Sequence, residues 1–124
     1  LRSGVSGVGC LLGCVWLGKE AGSQIGRLVG DKAAALGRTA GRITIRDTRS
    51  RWGSCSADGN LSFCWRLVMA PETVLDYVVA HEVAHLAEPH HGPKFWRLVK
   101  TLTPDMKASR AWLRCNGEAL HRYG

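Results

Sequence analysis

The segment His81-Glu82-Val83-Ala84-His85 constrains this chain more than any other. Histidines four residues apart stack on one face of a helix, one turn apart, so both imidazoles can reach a single tetrahedral ion. Glu82 then projects beside them, where it can take a proton from an attacking water. The competing reading is a chance pattern of solvated polar residues. Here, however, the motif sits on a well-marked helix. Pro71 suits the first turn, Glu72 favours the positive helix end, and Pro89 with Gly92 stops the helix after about Ala87. Leu75, Val79, Val83 and Leu86 fall on the opposite face and form a core stripe that a merely solvated helix would not carry. The metal-site reading is the stronger one.

A catalytic metal needs a third protein ligand, and Glu88, His90 and His91 can each supply it. Glu88 is still near the helix end. His91 follows Pro89, where the chain has turned and can return an imidazole, and its offset of six from His85 matches the longer HExxHxxGxxH zinc pattern, with Glu88 in place of the glycine. His91 is therefore favoured, with His90 as its solvent-facing neighbour.

Charge supports a cation here. The formal net charge is +7, but residues 67–93 hold four acids and no Lys or Arg, whereas residues 94–124 hold seven bases against two acids. The acidic block favours a divalent ion, and the basic flanks suit an anionic substrate or simply solubility. Five cysteines lack the spacing of a disulfide framework and read as free thiols, which points to the cytoplasm.

At 124 residues the chain has the size of one domain. It begins at Leu1 rather than Met, as a fragment or a processed product would. Residues 1–22 read as a poorly specified lead-in, such as the remnant of a strand, before a domain over residues 23–124. The uncharged stretch 3–18 is only sixteen residues long and holds five glycines, so it is short of the ~20 apolar residues that span a membrane.

Helical spacing runs from an N-cap at Ser23 through Ile25, Leu28, Val29, Ala33 and Leu36 to Gly37. Arg42–Asp47, Arg49–Ser54 and Leu61–Trp65 read as strands, the last two joined across Ala57-Asp58-Gly59-Asn60. Further helices are expected from Pro93 to Leu102, and from Pro104 to about Cys115, stopped by Asn116-Gly117. The order implies an α+β domain with a small antiparallel sheet.

A two-residue Asp58-Gly59 turn would set Trp52 opposite Trp65 and Arg51 opposite Arg66, with Arg49 on the same face as Arg51. Opposed arginines repel, and a bound anion would remove the conflict. The alternatives are a different register, or neutralisation by Asp47 and the acidic helix. Tyr77, one turn before His81, can bond a polarised substrate oxygen or simply pack; Asp76 can orient a ligand or an arginine. Phe95, Trp96, Leu98 and Trp112 read as core, Cys55 and Cys64 as small strand residues, and His121 as solvated.

Residues 43–96 resemble the YgjP-like metal-dependent hydrolases, a zinc metallopeptidase family related to SprT-like and WLM domains. The pieces that carry the resemblance are Arg51-Trp52-Gly53-Ser54-Cys55, Trp65-Arg66-Leu67, Pro71, Asp76-Tyr77-Val78-Val79, the HEVAH segment, His91-Gly92-Pro93 and Phe95-Trp96. It continues more weakly through Pro104 and Trp112-Leu113. The resemblance implies a zincin-like fold with one Zn2+ per chain, ligands His81, His85 and His91, and Glu82 as catalytic base. It leaves the substrate open between a peptide and a nucleotide. The family's namesake implies pyrophosphatase action on nucleoside triphosphates such as UTP, and the SprT-like relatives imply a DNA-associated protease. The chain shows no Gly-rich phosphate loop and no nucleic-acid-binding motif. A peptide could lie extended along an exposed edge strand.

Overall fold

The first element of the structure, a computed structural model describing the backbone of residues 7–122 and the side chains of residues 19–122, is a long helix, α1 (Gly7–Ala35). Residues 1–6 lie outside the described residues. Ala21, Ile25, Val29 and Ala33 form one buried stripe at four-residue spacing. That stripe runs past Ser23, which is exposed in mid-helix and caps nothing. Residues 7–22 are thus helical rather than a strand remnant. Their glycines and small residues hide the helix from a reading of periodicity. Gly37 ends α1 as expected, its N–H donating to the Ala34 carbonyl at 3.0 Å.

Three strands follow: β1 (Ile43–Arg46), β2 (Gly53–Cys55) and β3 (Leu61–Cys64). Their order is β1-β3-β2, with β1 parallel and β2 antiparallel to β3. The sheet is therefore mixed, not antiparallel throughout. Residues 47–52 cross the end of β3 instead of turning back on β1, so the chain enters β2 from the far side. Side chains hold this crossing: Asp47 meets Arg66 at 2.6 Å, Thr48 Oγ1 donates to the Arg51 carbonyl, and Cys64 Sγ donates to that of Thr48.

The β2–β3 hairpin also differs from expectation by one residue. Its loop has three residues, because Ser56 N–H bonds the Asn60 carbonyl at 2.9 Å and Gly59 takes a positive φ of 84°. Gly53 then pairs with Phe63 and Ser54 with Ser62. Trp52 lies beside Cys64, not Trp65, and the Arg51–Arg66 opposition disappears. Arg66 follows β3 in a 3₁₀ helix (Trp65–Met69), where it is 1% exposed and bound to Asp47. Asp47 pairs with its charge, as the neutralisation alternative expects.

Three more helices complete the fold: α2 (Glu72–Ala84), α3 (Pro93–Leu102) and α4 (Met106–His121). Helix α4 runs through Asn116-Gly117, where a stop was expected. Gly117 is buried against the Trp52 indole, and Asn116 Nδ2 donates to the Trp112 carbonyl one turn back. Nor is His121 solvated. It stacks on Trp52 with ring centroids 3.5 Å apart, its Nε2 lies 3.1 Å from the Arg51 carbonyl, and burial pushes its imidazole below the usual value. Asp76 bonds Lys32 at 2.8 Å and accepts from Thr103, tying α1 and the end of α3 to α2.

Strand β2 packs directly on α2. A Cβ at Gly53 would stand 3.0 Å from Glu82 Cγ, 3.2 Å from Phe63 Cδ1 and 3.2 Å from the Ser62 carbonyl. A side chain here would force one of these neighbours to give way. Gly53→Ala should therefore cost about 1–3 kcal/mol through overpacking, measured by denaturant unfolding. The Asp47–Arg66 pair gives a second expectation. The Arg66 hydrogen bond holds the Asp47 carboxyl below its usual 3.8, so its stabilisation is complete above that value and lost as pH falls through the lower folded value. Because Asp47 is solvent-exposed, Asp47→Asn should cost only about 1 kcal/mol at pH 7. Melting curves should show a gap of roughly 3–5 °C at neutral pH that closes in strong acid; an equal gap at both would remove the ion pair as its cause.

Candidate metal centre

Helix α2 ends at Ala84, three residues sooner than expected, in a tight turn: Leu86 N–H bonds the Val83 carbonyl and Glu88 N–H bonds that of Ala84. The turn carries the Glu88 carbonyl back to His85 Nδ1, at 3.1 Å. A carbonyl only accepts, so Nδ1 bears the proton and the Nε2 lone pair is left to face outward. It faces His91, whose Nε2 is 3.1 Å away. One turn back on α2, His81 completes the group, and the ligand atoms of His81, His85 and His91 all lie within 4.8 Å of one another.

This set fits a metal ion. Nitrogens bound at about 2.0–2.1 Å on one tetrahedral zinc stand about 3.3 Å apart. Burial pushes the His85 imidazole below its ordinary value, against the Glu88 carbonyl, and so favours the neutral form that binds metal. Three imidazoles are the donor set of a zinc site with a position left open. The three histidines can hold one such ion.

Phe95 forms the floor. It is fully buried, and its ring centroid lies 4.4 Å from that of His85, 4.9 Å from His91 and 5.0 Å from His81. Sequence reasoning assigned it to the core alone. Its position one turn into α3, just after His91-Gly92-Pro93, was the available sign that it meets the histidines. Glu82 is buried at 6% exposure, with Oε2 3.1 Å from His81 Nδ1 and its stem against Gly53. Ser54, Cys55, His81, Glu82, His85 and His91 line an open groove of about 580 Å³. Burial first, then the Glu82 charge, pushes the Cys55 thiol up, so it is a neutral lining residue at pH 7.

Of the candidates for a third ligand, His91 joins the group, Glu88 contributes its backbone carbonyl to His85, and His90 is exposed. Tyr77 is buried with its ring edge-on to His81 at 6.1 Å, and burial raises its phenol. The three arginines do not join this groove. Arg66 is bound to Asp47, and Arg49 donates to the His121 carbonyl at 3.2 Å. Arg51 lines an adjoining groove with Arg46 and Ser62, which meets the metal groove at Gly53 and Ser54.

Comparison with known proteins agrees with this geometry. The model of the YgjP-like family, described as a metallopeptidase domain, matches residues 14–116. No curated protein matches the sequence. Among solved structures, the zymogen of the metallopeptidase abylysin from Pyrococcus abyssi is similar, at 22% identity and a TM-score of 0.63, over 76% of this chain and 93% of that one. The zymogen of the metallopeptidase jannalysin from Methanocaldococcus jannaschii is similar at 20% identity and 0.62, over 77% and 96%. The fold is the zincin-like α+β fold of these metallopeptidases. Sequence and fold together make the chain a zinc-dependent hydrolase, and it belongs to the YgjP-like metallopeptidase domain family.

Proposed function

We propose that this chain is a peptidase in which His81, His85 and His91 hold the zinc ion and Glu82 is the general base. The observation that carries the reading is the buried Glu82 carboxylate, in contact with one of three converging imidazoles and beside an outer strand. When bound, zinc supplies the Lewis acidity that polarises a carbonyl and lets water attack near neutral pH. Glu82 takes the proton from the attacking water and passes it to the leaving amine. The Glu88 carbonyl fixes the His85 tautomer, and Phe95 supports all three rings.

The substrate reading rests on β2. Among the described residues it pairs with β3 alone, so its other edge is open along the groove. An extended peptide can add to that edge through backbone hydrogen bonds, which brings its carbonyls past Glu82. A nucleotide has less support, because the opposed arginines that suggested a phosphate clamp are separated and Arg66 serves Asp47. No nucleic-acid partner is indicated. No helix among the described residues is long and apolar enough to cross a membrane. The free Cys55, Cys64 and Cys115 fit a reducing, cytoplasmic setting.

Elemental analysis of purified protein should find one zinc per chain, lost in His81→Ala and in His85→Ala. Glu82→Gln should keep the metal yet lower kcat for peptide cleavage by at least about 100-fold. Loss of zinc in Glu82→Gln would instead make Glu82 a ligand or a support. Release of pyrophosphate from UTP without peptide cleavage would return the nucleotide reading.

A further inference from the structure

Trp96 links the histidine group to a second groove. Its ring centroid lies 5.8 Å from that of His81 and 6.0 Å from that of His91, and the Arg110 guanidinium covers it at 4.7 Å. Arg110 also lies near Tyr77, where its charge opposes the rise that burial imposes on the phenol. From there Arg110 continues into a groove of about 580 Å³ where α3 gives way to α4, lined also by Lys100, Lys107 and Arg114. All four cations are exposed. Among the described residues no carboxylate comes within ion-pair distance of any of them, and Asp105 is the one acid in the lining. That acid, Asp105, is the N-cap of α4, where it offsets the helix dipole, so the positive field of the groove comes from the four side chains.

We propose that this groove is a specificity site for acidic side chains of a peptide substrate, with Arg110 the cation nearest the bond to be cut. The proposal rests on the peptidase reading of the metal group. An extended peptide advances about 3.3 Å per residue, so the two steps from the His81 ring to Trp96 and from Trp96 to Arg110 correspond to a few residues of extended chain. A guanidinium placed over an indole still offers a carboxylate its two-pronged donor. Single-stranded nucleic acid is a poorer match. It requires a track of cations with open aromatic platforms, and here the cations gather in one groove while Arg110 covers a face of Trp96.

The test uses the zinc-loaded full chain and two internally quenched peptides, identical except that glutamates flanking the cleavage site in one are glutamines in the other. The glutamate peptide should show a kcat/KM about tenfold higher at low salt, carried by KM, and the advantage should shrink as ionic strength rises to about 0.3 M. Arg110→Glu should abolish or reverse the preference. The double change Lys107→Glu with Arg114→Glu, which leaves the Trp96 contact in place, should weaken it too. Equal kcat/KM for the two peptides overturns the proposal and leaves the peptidase reading intact. Should neither peptide be cut, the peptidase reading fails, and fluorescence anisotropy with the same peptides, labelled, still decides the groove. Tighter binding of the glutamate peptide that is lost in the double variant supports it. Equal binding, or tighter binding of a labelled single-stranded oligonucleotide, overturns it.

Discussion

Helix α2 is packed by α1, α3, α4, β2 and the 3₁₀ helix at once, and nine of its thirteen residues are buried. A helix so enclosed has one rotation and one height open to it, because turning it would expose Val79 and Val83 and drive the half-buried His81 and His85 into the core. The 3.6-residue repeat then converts that fixed core into fixed ligand positions. Imidazoles held in this way need no ordering when an ion arrives, which is how a scaffold makes a metal site tight. The small buried side chains of Ala80 and Ala84, beside the histidines, contribute by letting neighbouring elements approach closely.

What could be read in the sequence follows from this arrangement. The HEVAH spacing, the proline starts at Pro71 and Pro93 and the stop at Gly37 are local signals, and each corresponds to an element boundary within a residue or two. His91 was legible for a similar reason: after Pro89 the chain can only turn, and the turn is short. The two-sided amphipathic picture of α2 was less accurate, since it is covered on most sides rather than on a single stripe. Strand direction and register were not legible. The choice between a two-residue and a three-residue loop at Gly59 turns on one hydrogen bond, Ser56 to Asn60, yet it moves every partner of Arg51 and Trp52. The passage of α4 through Asn116-Gly117 is likewise a tertiary decision, made by the Trp52 indole lying against Gly117.

The arginines show how the same residues can change meaning. Read as a row on a strand, Arg49, Arg51 and Arg66 suggest an anion site. In the fold they secure the crossing at residues 47–52. Arg66 anchors Asp47 from the buried side, Arg49 reaches the last turn of α4, and the Arg51 carbonyl accepts from Thr48 and faces His121. This clasp keeps β2 on the outside of the sheet rather than next to β1. An outer β2 is what leaves a free edge along the groove and brings Gly53 against Glu82. The arginines therefore bear on the site through the strand they place.

The charge pattern also resolves at the level of individual groups. Of the four acids in the central block, Asp76 is neutralised by Lys32, Glu72 lies exposed at the far end of α2, and Glu88 turns its carbonyl to His85. Glu82 alone brings a carboxylate to the imidazoles. A divalent ion among three neutral imidazoles and one carboxylate leaves the site with net positive charge, which favours the oxyanion that develops when a carbonyl is attacked. The unneutralised cations of α3 and α4 extend the same sign of field beyond Trp96. Most acids of the central block are thus used elsewhere in the fold, and a single carboxylate, Glu82, stands at the imidazoles, while the bases beyond Trp96 are left without ion-pair partners among the described residues.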